Sequence, residues 1–77
     1  MNLTKAFGDT IRELRKKAGL SQEKLSILAD IDRKTVSFYE SYQRSPNIHS
    51  IFALARAFNI KPEELIGIVR QKLEEKP

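Results

Sequence analysis

Residues 32 to 40, DRKTVSFYE, place two cations, a hydroxyl and an aromatic ring within reach of one another. At about 100° per residue, Arg33, Lys34, Ser37 and Phe38 fall on one side of a helix, with Val36 and Tyr39 on the other. The chemistry open to such a face is recognition. Guanidinium and ammonium groups attract anions, a hydroxyl donates or accepts, and a ring offers an apolar surface. Val36 and Tyr39 suffice to anchor the segment, so the core does not require Phe38. An exposed aromatic there is either ordinary surface, much of which is apolar in any protein, or part of a contact.

Covalent and metal chemistry have less to work with. The chain has one histidine, His49, and no cysteine, so neither a thiolate site, a disulfide framework nor a familiar metal centre can be assembled. Ser50 stands beside His49, but neighbours on one short helix do not form a serine–histidine–carboxylate set. Gly8, Gly19 and Gly67 are isolated and make no phosphate-cradling loop. The expectation is a protein without catalytic activity, metal, cofactor or small-molecule ligand.

Seventy-seven residues make a single domain, residues 1 to 77, with a thin core. The apolar runs are too short to span a bilayer, and the N-terminus lacks the basic-then-apolar layout of a secretory leader. The reading is a soluble cytoplasmic protein that does not engage a membrane. A net charge of +4 favours a polyanionic partner. Residues 1 to 20 carry five bases against two acids, much of the excess in RELRKK, whereas residues 21 to 46 balance. A solvated helix face explains RELRKK as readily as a partner does.

Apolar spacing predicts an all-α fold of five helices. Phe7, Ile11, Leu14 and Ala18 recur at helical intervals in the first, about 4 to 18, which Gly19 stops. Ser21 caps a second helix with a buried stripe of Leu25, Leu28 and Ala29, and Lys24 stands where a capping box needs Glu or Gln. Asp32 then caps a third helix, 33 to 40, after a turn of about three residues. Two short helices so joined must cross steeply, the geometry of a helix-turn-helix over about 21 to 40. SYQRSPN reads as a surface loop. Asn47 caps a fourth helix whose Ile48, Ile51, Phe52, Leu54, Ala55 and Phe58 would make it nearly central in the core. Pro62 opens a fifth, about 62 to 75, with Glu63 and Glu64 at its start and Lys72 and Lys76 at its end complementing the helix dipole.

From FGDTIRELRKKAGLSQEKLSILA through TVSFYE to SPNIHSIFALARAFNIKPEELI, the sequence resembles the phage-repressor and Cro-like, or Xre-type, helix-turn-helix proteins. The resemblance covers about residues 7 to 66. It implies a compact lambda-repressor-like helical domain whose third helix enters the major groove of double-stranded DNA, and a transcriptional regulator that binds an inverted repeat as a homodimer. Arg33, Lys34, Ser37 and Phe38 match the family's base-reading face. Arg and Lys can donate to guanine O6 and N7, Ser can bond to several base edges, and a ring can press on a thymine methyl. For Arg33 and Lys34, contact with phosphate alone is an equal alternative. Thr35, at the edge of the face, reaches a phosphate or packs. Gln22 matches a glutamine that touches phosphate and braces the third helix, or else is simply solvated at a helix start. Ser41, Tyr42, Gln43 and Arg44 match the loop along the phosphate backbone, with Arg44 its foremost charge contact. Arg15 and Glu40 match a structural ion pair.

Asp30 and Tyr42 occupy positions where the family usually has glycine, often at positive φ, a conformation that Tyr tolerates poorly. Either the loop after the third helix bends differently here, or it is strained for a contact that Tyr42 makes. Leu65, Ile66, Ile68, Val69 and Leu73 form a stripe broader than a lone peripheral helix needs; Ile68, Val69 and Leu73 are expected at a twofold dimer interface, the alternative being that the stripe merely covers the thin core. The alternative to a DNA-binding regulator is a protein-interaction module on the same fold, such as an antitoxin or anti-regulator, to which an exposed Phe38 and Tyr42 would be suited.

Overall fold

The computed structural model describes residues 2 to 75; Lys76, expected to complement the end of the last helix, lies outside them. Five helices follow in order, α1 (Leu3–Lys17), α2 (Gln22–Ala29), α3 (Arg33–Glu40), α4 (Ile48–Ala57) and α5 (Pro62–Glu74). Among the described residues there is no strand. The starts are set locally. The side chains of Asn2, Ser21, Asp32 and Asn47 each accept a hydrogen bond from a backbone N–H in the first turn of α1 to α4, which satisfies a donor the helix itself leaves free. At α5 the capping carboxylate comes from the other side: Glu64 accepts from the backbone N–H of Lys61.

The ends of α1 to α4 share one device. Gly19, Asp30, Tyr42 and Asn59 all adopt the left-handed conformation. At each, the next residue's N–H bonds back five residues, Leu20 to Arg15, Ile31 to Ser26, Gln43 to Phe38 and Ile60 to Ala55. This is the Schellman closure, and an apolar residue after the left-handed position normally packs onto the helix it ends. Leu20, Ile31 and Ile60 do so, half-buried against the core. Gln43 cannot, so α3 is the one of these four ends without that apolar cover.

α1 packs on α3 and α5, α2 on α3 and α4, and α4 on α5. Ala6, Phe7, Ile11, Leu25, Ala29, Val36, Tyr39, Leu54, Ala55, Leu65 and Val69 form the core. Phe7 and Tyr39 meet edge to face at 5.2 Å between centroids, and the Tyr39 hydroxyl donates to Ser50 Oγ at 2.8 Å. α3 is thereby anchored by Val36 and Tyr39, as its spacing predicts.

Periodicity overstates how much of α2 and α4 is buried. Leu28 is 51% exposed, Ile48 58% and Phe52 55%, because each helix meets its neighbours on one flank and its apolar stripe is wider than the contact. Ala18, the C-cap of α1, is exposed as well. In α5 the correction runs the other way. Val69 is only 7% exposed and packs in the core, so it has little surface for the interface expected of it. Ile68 is half-buried and Leu73 exposed, and Ile66, part of the same wide stripe but not assigned to the interface, is exposed as well. The Lys72 ammonium bonds to Glu13 at 2.6 Å and fastens α5 to α1.

Gly8 marks the closest approach of α1 to the end of α3. A Cβ there would lie 2.3 Å from the Tyr39 carbonyl oxygen and 2.8 Å from the Tyr42 ring. Within a helix Gly→Ala ordinarily stabilises by roughly 0.5 to 1 kcal/mol. Gly8→Ala is expected to reverse that sign and cost about 1 to 3 kcal/mol through overpacking, measured as a lower urea midpoint with unchanged slope.

Candidate nucleic-acid interface

α3 presents Arg33 and Lys34 fully to solvent and Thr35, Ser37 and Phe38 partly. Its register is set by Asp32, whose carboxylate accepts from the Lys34 backbone N–H at 3.0 Å, and by the inward anchors opposite. Gln22, at the first position of α2, lines one shallow depression together with Arg33, Lys34 and Ser37. Three residues of the expected base-reading face thus adjoin Gln22, which was expected at a phosphate.

Glu40, the acid within α3, is turned away from this face and is 3% exposed. Arg15 meets its carboxylate with two donors, Nε at 2.7 Å and Nη2 at 3.0 Å, and also donates to the Leu20 carbonyl. Gln22 Nε2 donates to the same carboxylate at 3.2 Å. Gln22 thereby joins the start of α2 to the end of α3, at the carboxylate that Arg15 also meets. The hydrogen bond that Arg15 donates to Glu40 raises the Arg15 pKa against the opposing effect of burial, so the guanidinium stays charged. Arg12 completes the arrangement, donating to the backbone carbonyl of Glu40 with its Nε 3.8 Å from the carboxylate. Arg12 was not singled out in the sequence, although it lies one turn from Arg15 on the same helix face.

The loop after α3 is ordered by Tyr42. Its φ of 65° is left-handed, so of the two alternatives the strained loop is the one adopted, and the contact that offsets the strain is plain. The Tyr42 ring lies against Gly8, its hydroxyl donates to Asp9 Oδ1, and Lys5 Nζ and Arg12 Cζ stand 5.1 Å and 5.8 Å from the ring centroid. Lys5 also bonds to Asp9 at 3.1 Å. Only the positive φ could be suspected from sequence; the partners lie more than thirty residues away. Ser41 donates to the Ser37 carbonyl and accepts from Gln43 Nε2, both at 2.8 Å.

Arg44 does not extend away from the domain. Its Cζ sits 4.9 Å from the centroid of the Phe38 ring, and Nη1 is 3.5 Å from Thr35 Oγ1. Phe38 is consequently half-buried rather than the open ring expected.

A helix-turn-helix family model matches residues 11 to 65. An uncharacterized HTH-type transcriptional regulator of Archaeoglobus fulgidus is 36% identical over 55 residues, which cover 71% of this chain and 79% of that protein. Among solved structures, the restriction-modification controller protein C.AhdI from Aeromonas hydrophila superposes with a TM-score of 0.77 at 44% identity, covering 80% of this chain and 94% of that one. The controller protein C.Esp1396I, solved as a tetramer with its natural 35 base-pair operator, superposes at 0.86 over 97% of this chain and 99% of its own, with 19% identity, a likeness of fold.

Removing one partner of a buried ion pair strands the other. Arg15→Ala is expected to cost about 3 to 5 kcal/mol in urea denaturation, whereas replacing both Arg15 and Glu40 by methionine should recover much of the loss. A second test concerns acid. Burial alone would raise the pKa of Asp9, but the hydrogen bonds from Tyr42 and Lys5 outweigh it and hold the carboxyl below the usual aspartate range. A folded pKa below the unfolded one gives stability that is present above the unfolded value and lost as pH falls through the folded value. Stability measured downward from pH 5 should therefore fall less steeply in Asp9→Asn than in the parent.

Proposed function

The chain belongs to the helix-turn-helix family, and on that premise we propose that it is a sequence-specific DNA-binding regulator of transcription that acts as a homodimer on an inverted repeat. One observation carries the reading: the solvent face of α3 is basic and hydroxyl-bearing, while the acid in the helix, Glu40, is buried and paired with Arg15. A polyanion meets no exposed carboxylate from Arg33 through Glu40. Lys34, Ser37 and Arg33 are assigned to base edges in the major groove. Gln22 and the free N–H groups at the start of α2 are assigned to a phosphate, with Ser41 and Gln43 along the backbone.

C.AhdI and C.Esp1396I are controller proteins, and the latter is seen as a tetramer on its operator, which supports an oligomer of this chain on DNA. The dimer is proposed to form along the flank of α5 where Ile66 and Leu73 are exposed on either side of the buried Val69; Ile68 is half-buried on the opposite flank, about 160° around the helix from Ile66. Half-sites would then lie about 34 Å apart, one helical turn, so that both recognition helices face the same side of the duplex. The competing reading as a protein-interaction module loses support at Phe38, which Arg44 partly covers, and keeps it at Tyr42, which is engaged with α1 but still 36% exposed. No catalytic role is assigned to His49, which is exposed in the first turn of α4. None of the described helices is long and apolar enough to cross a membrane, and a cytoplasmic location follows from the proposed activity.

Titration of mixed-sequence DNA against salt tests the proposal. Affinity should fall steeply, with a log–log slope of about −0.9 per phosphate contact; a flat curve without binding at low salt removes the reading. On a selected target, Lys34→Ala is expected to relax preference at particular base pairs by roughly 1 to 3 kcal/mol, detected by comparing single-base variants of the site.

A further inference from the structure

We infer that Phe38 and Arg44 form a single reading element for a thymine next to a guanine, so that Arg44 determines sequence rather than only holding the backbone. The inference rests on the DNA-binding reading above and adds a second specificity contact to it. Arg44 is the charged residue of the loop after α3, where a phosphate contact is the plain expectation. Its side chain instead returns across α3, placing Cζ 4.9 Å from the Phe38 centroid and Nη1 3.5 Å from Thr35 Oγ1. Thr35 and Phe38 are three apart on the helix, so Arg44 lies along the ridge that they form.

The arrangement is held from the main chain outward. The Gln43 N–H bonds to the Phe38 carbonyl at 2.8 Å, joining the residue before Arg44 to the residue whose ring it covers. Tyr42, fixed against Gly8 and bonded to Asp9, prevents the loop from swinging away. A guanidinium over an aromatic ring is attracted to its negative face and keeps its N–H edge free. One donor group points to Thr35. The remaining fork is the shape that meets guanine O6 and N7, while the uncovered part of the half-buried ring is an apolar surface for a thymine methyl. The cation and the ring are close enough to address neighbouring bases, and each fixes the other. Phe38 is about 6 Å further along α3 than Lys34, so the pair reads base pairs other than those of Lys34.

The test is selection of bound DNA from a random pool by the parent, Phe38→Leu, Arg44→Lys and the double variant, followed by binding of single-base variants of the selected site. Phe38→Leu keeps an apolar side chain but removes the ring face, and Arg44→Lys keeps the charge but removes the fork. Circular-dichroism melts confirm that each variant is folded. The expected result is a thymine–guanine step in the parent motif at which both single variants lose discrimination by about tenfold or more. The double variant should lose no more than the worse single one, the signature of coupled residues. Equal weakening on all sequences by Arg44→Lys, or a Phe38→Leu motif identical to the parent's, overturns the inference while leaving DNA binding in place. A parent protein that shows no salt-dependent DNA binding overturns the function itself, an outcome seen before any variant is made.

Discussion

A carboxylate removed from water must be met by donors, and the buried carboxylate of Glu40 is where this domain concentrates that requirement. Arg15 reaches it from α1 and Gln22 from the start of α2, while Arg12 holds the carbonyl of the same residue. Three helices that share limited apolar surface are thus fixed to one group in one register. The same pair cleans the face of α3: were Glu40 solvent-exposed, its charge would oppose a phosphate backbone that Arg33 and Lys34 attract. Fold and electrostatics depend on a single pairing, because the residue that orients the recognition helix is also the residue whose charge must be neutralised.

Around that point, the small domain relies on its chain ends as much as on its core. Four side-chain caps start α1 to α4, and four left-handed residues close them. Such closures suit a protein of this size, since they satisfy helix-end carbonyls without requiring more buried surface. At three of the four, an apolar residue also adds to the core. The exception is α3, where Gln43 replaces the apolar residue and the Tyr42 ring supplies the cover from its own position, docked on α1 instead of on α3.

What was legible in the sequence divides along physical lines. Helix starts were readable because a cap is a local event: Ser21, Asp32 and Asn47 do what their types predict. The outward face of α3 was readable because 100° per residue fixes direction once Val36 and Tyr39 point inward. The family pattern supplied Arg15 with Glu40. Periodicity says which way a stripe points but not how wide a neighbour is, so Leu28, Ile48 and Phe52 were expected in the core and are largely exposed. Val69 shows the converse, a side chain expected at an interface that the core already buries. Tyr42 could be flagged where a glycine is usual, but Gly8 and Asp9 became its partners only through tertiary structure. Phe38 was expected open because nothing in DRKTVSFYE reveals that an arginine six residues on folds back over it.

The left-handed Tyr42 decides when the loop loses its freedom. Ordering a backbone residue costs on the order of 1 to 2 kcal/mol, and here that cost is met as the chain folds, by the ring on Gly8 and the hydroxyl on Asp9. The loop is therefore settled before anything binds at α3, and binding there would carry no ordering cost at this residue. With glycine at this position the same turn would form without strain, but nothing would hold it. The tyrosine therefore moves that ordering cost into folding, and makes the shape of the loop depend on how closely α1 packs against the end of α3.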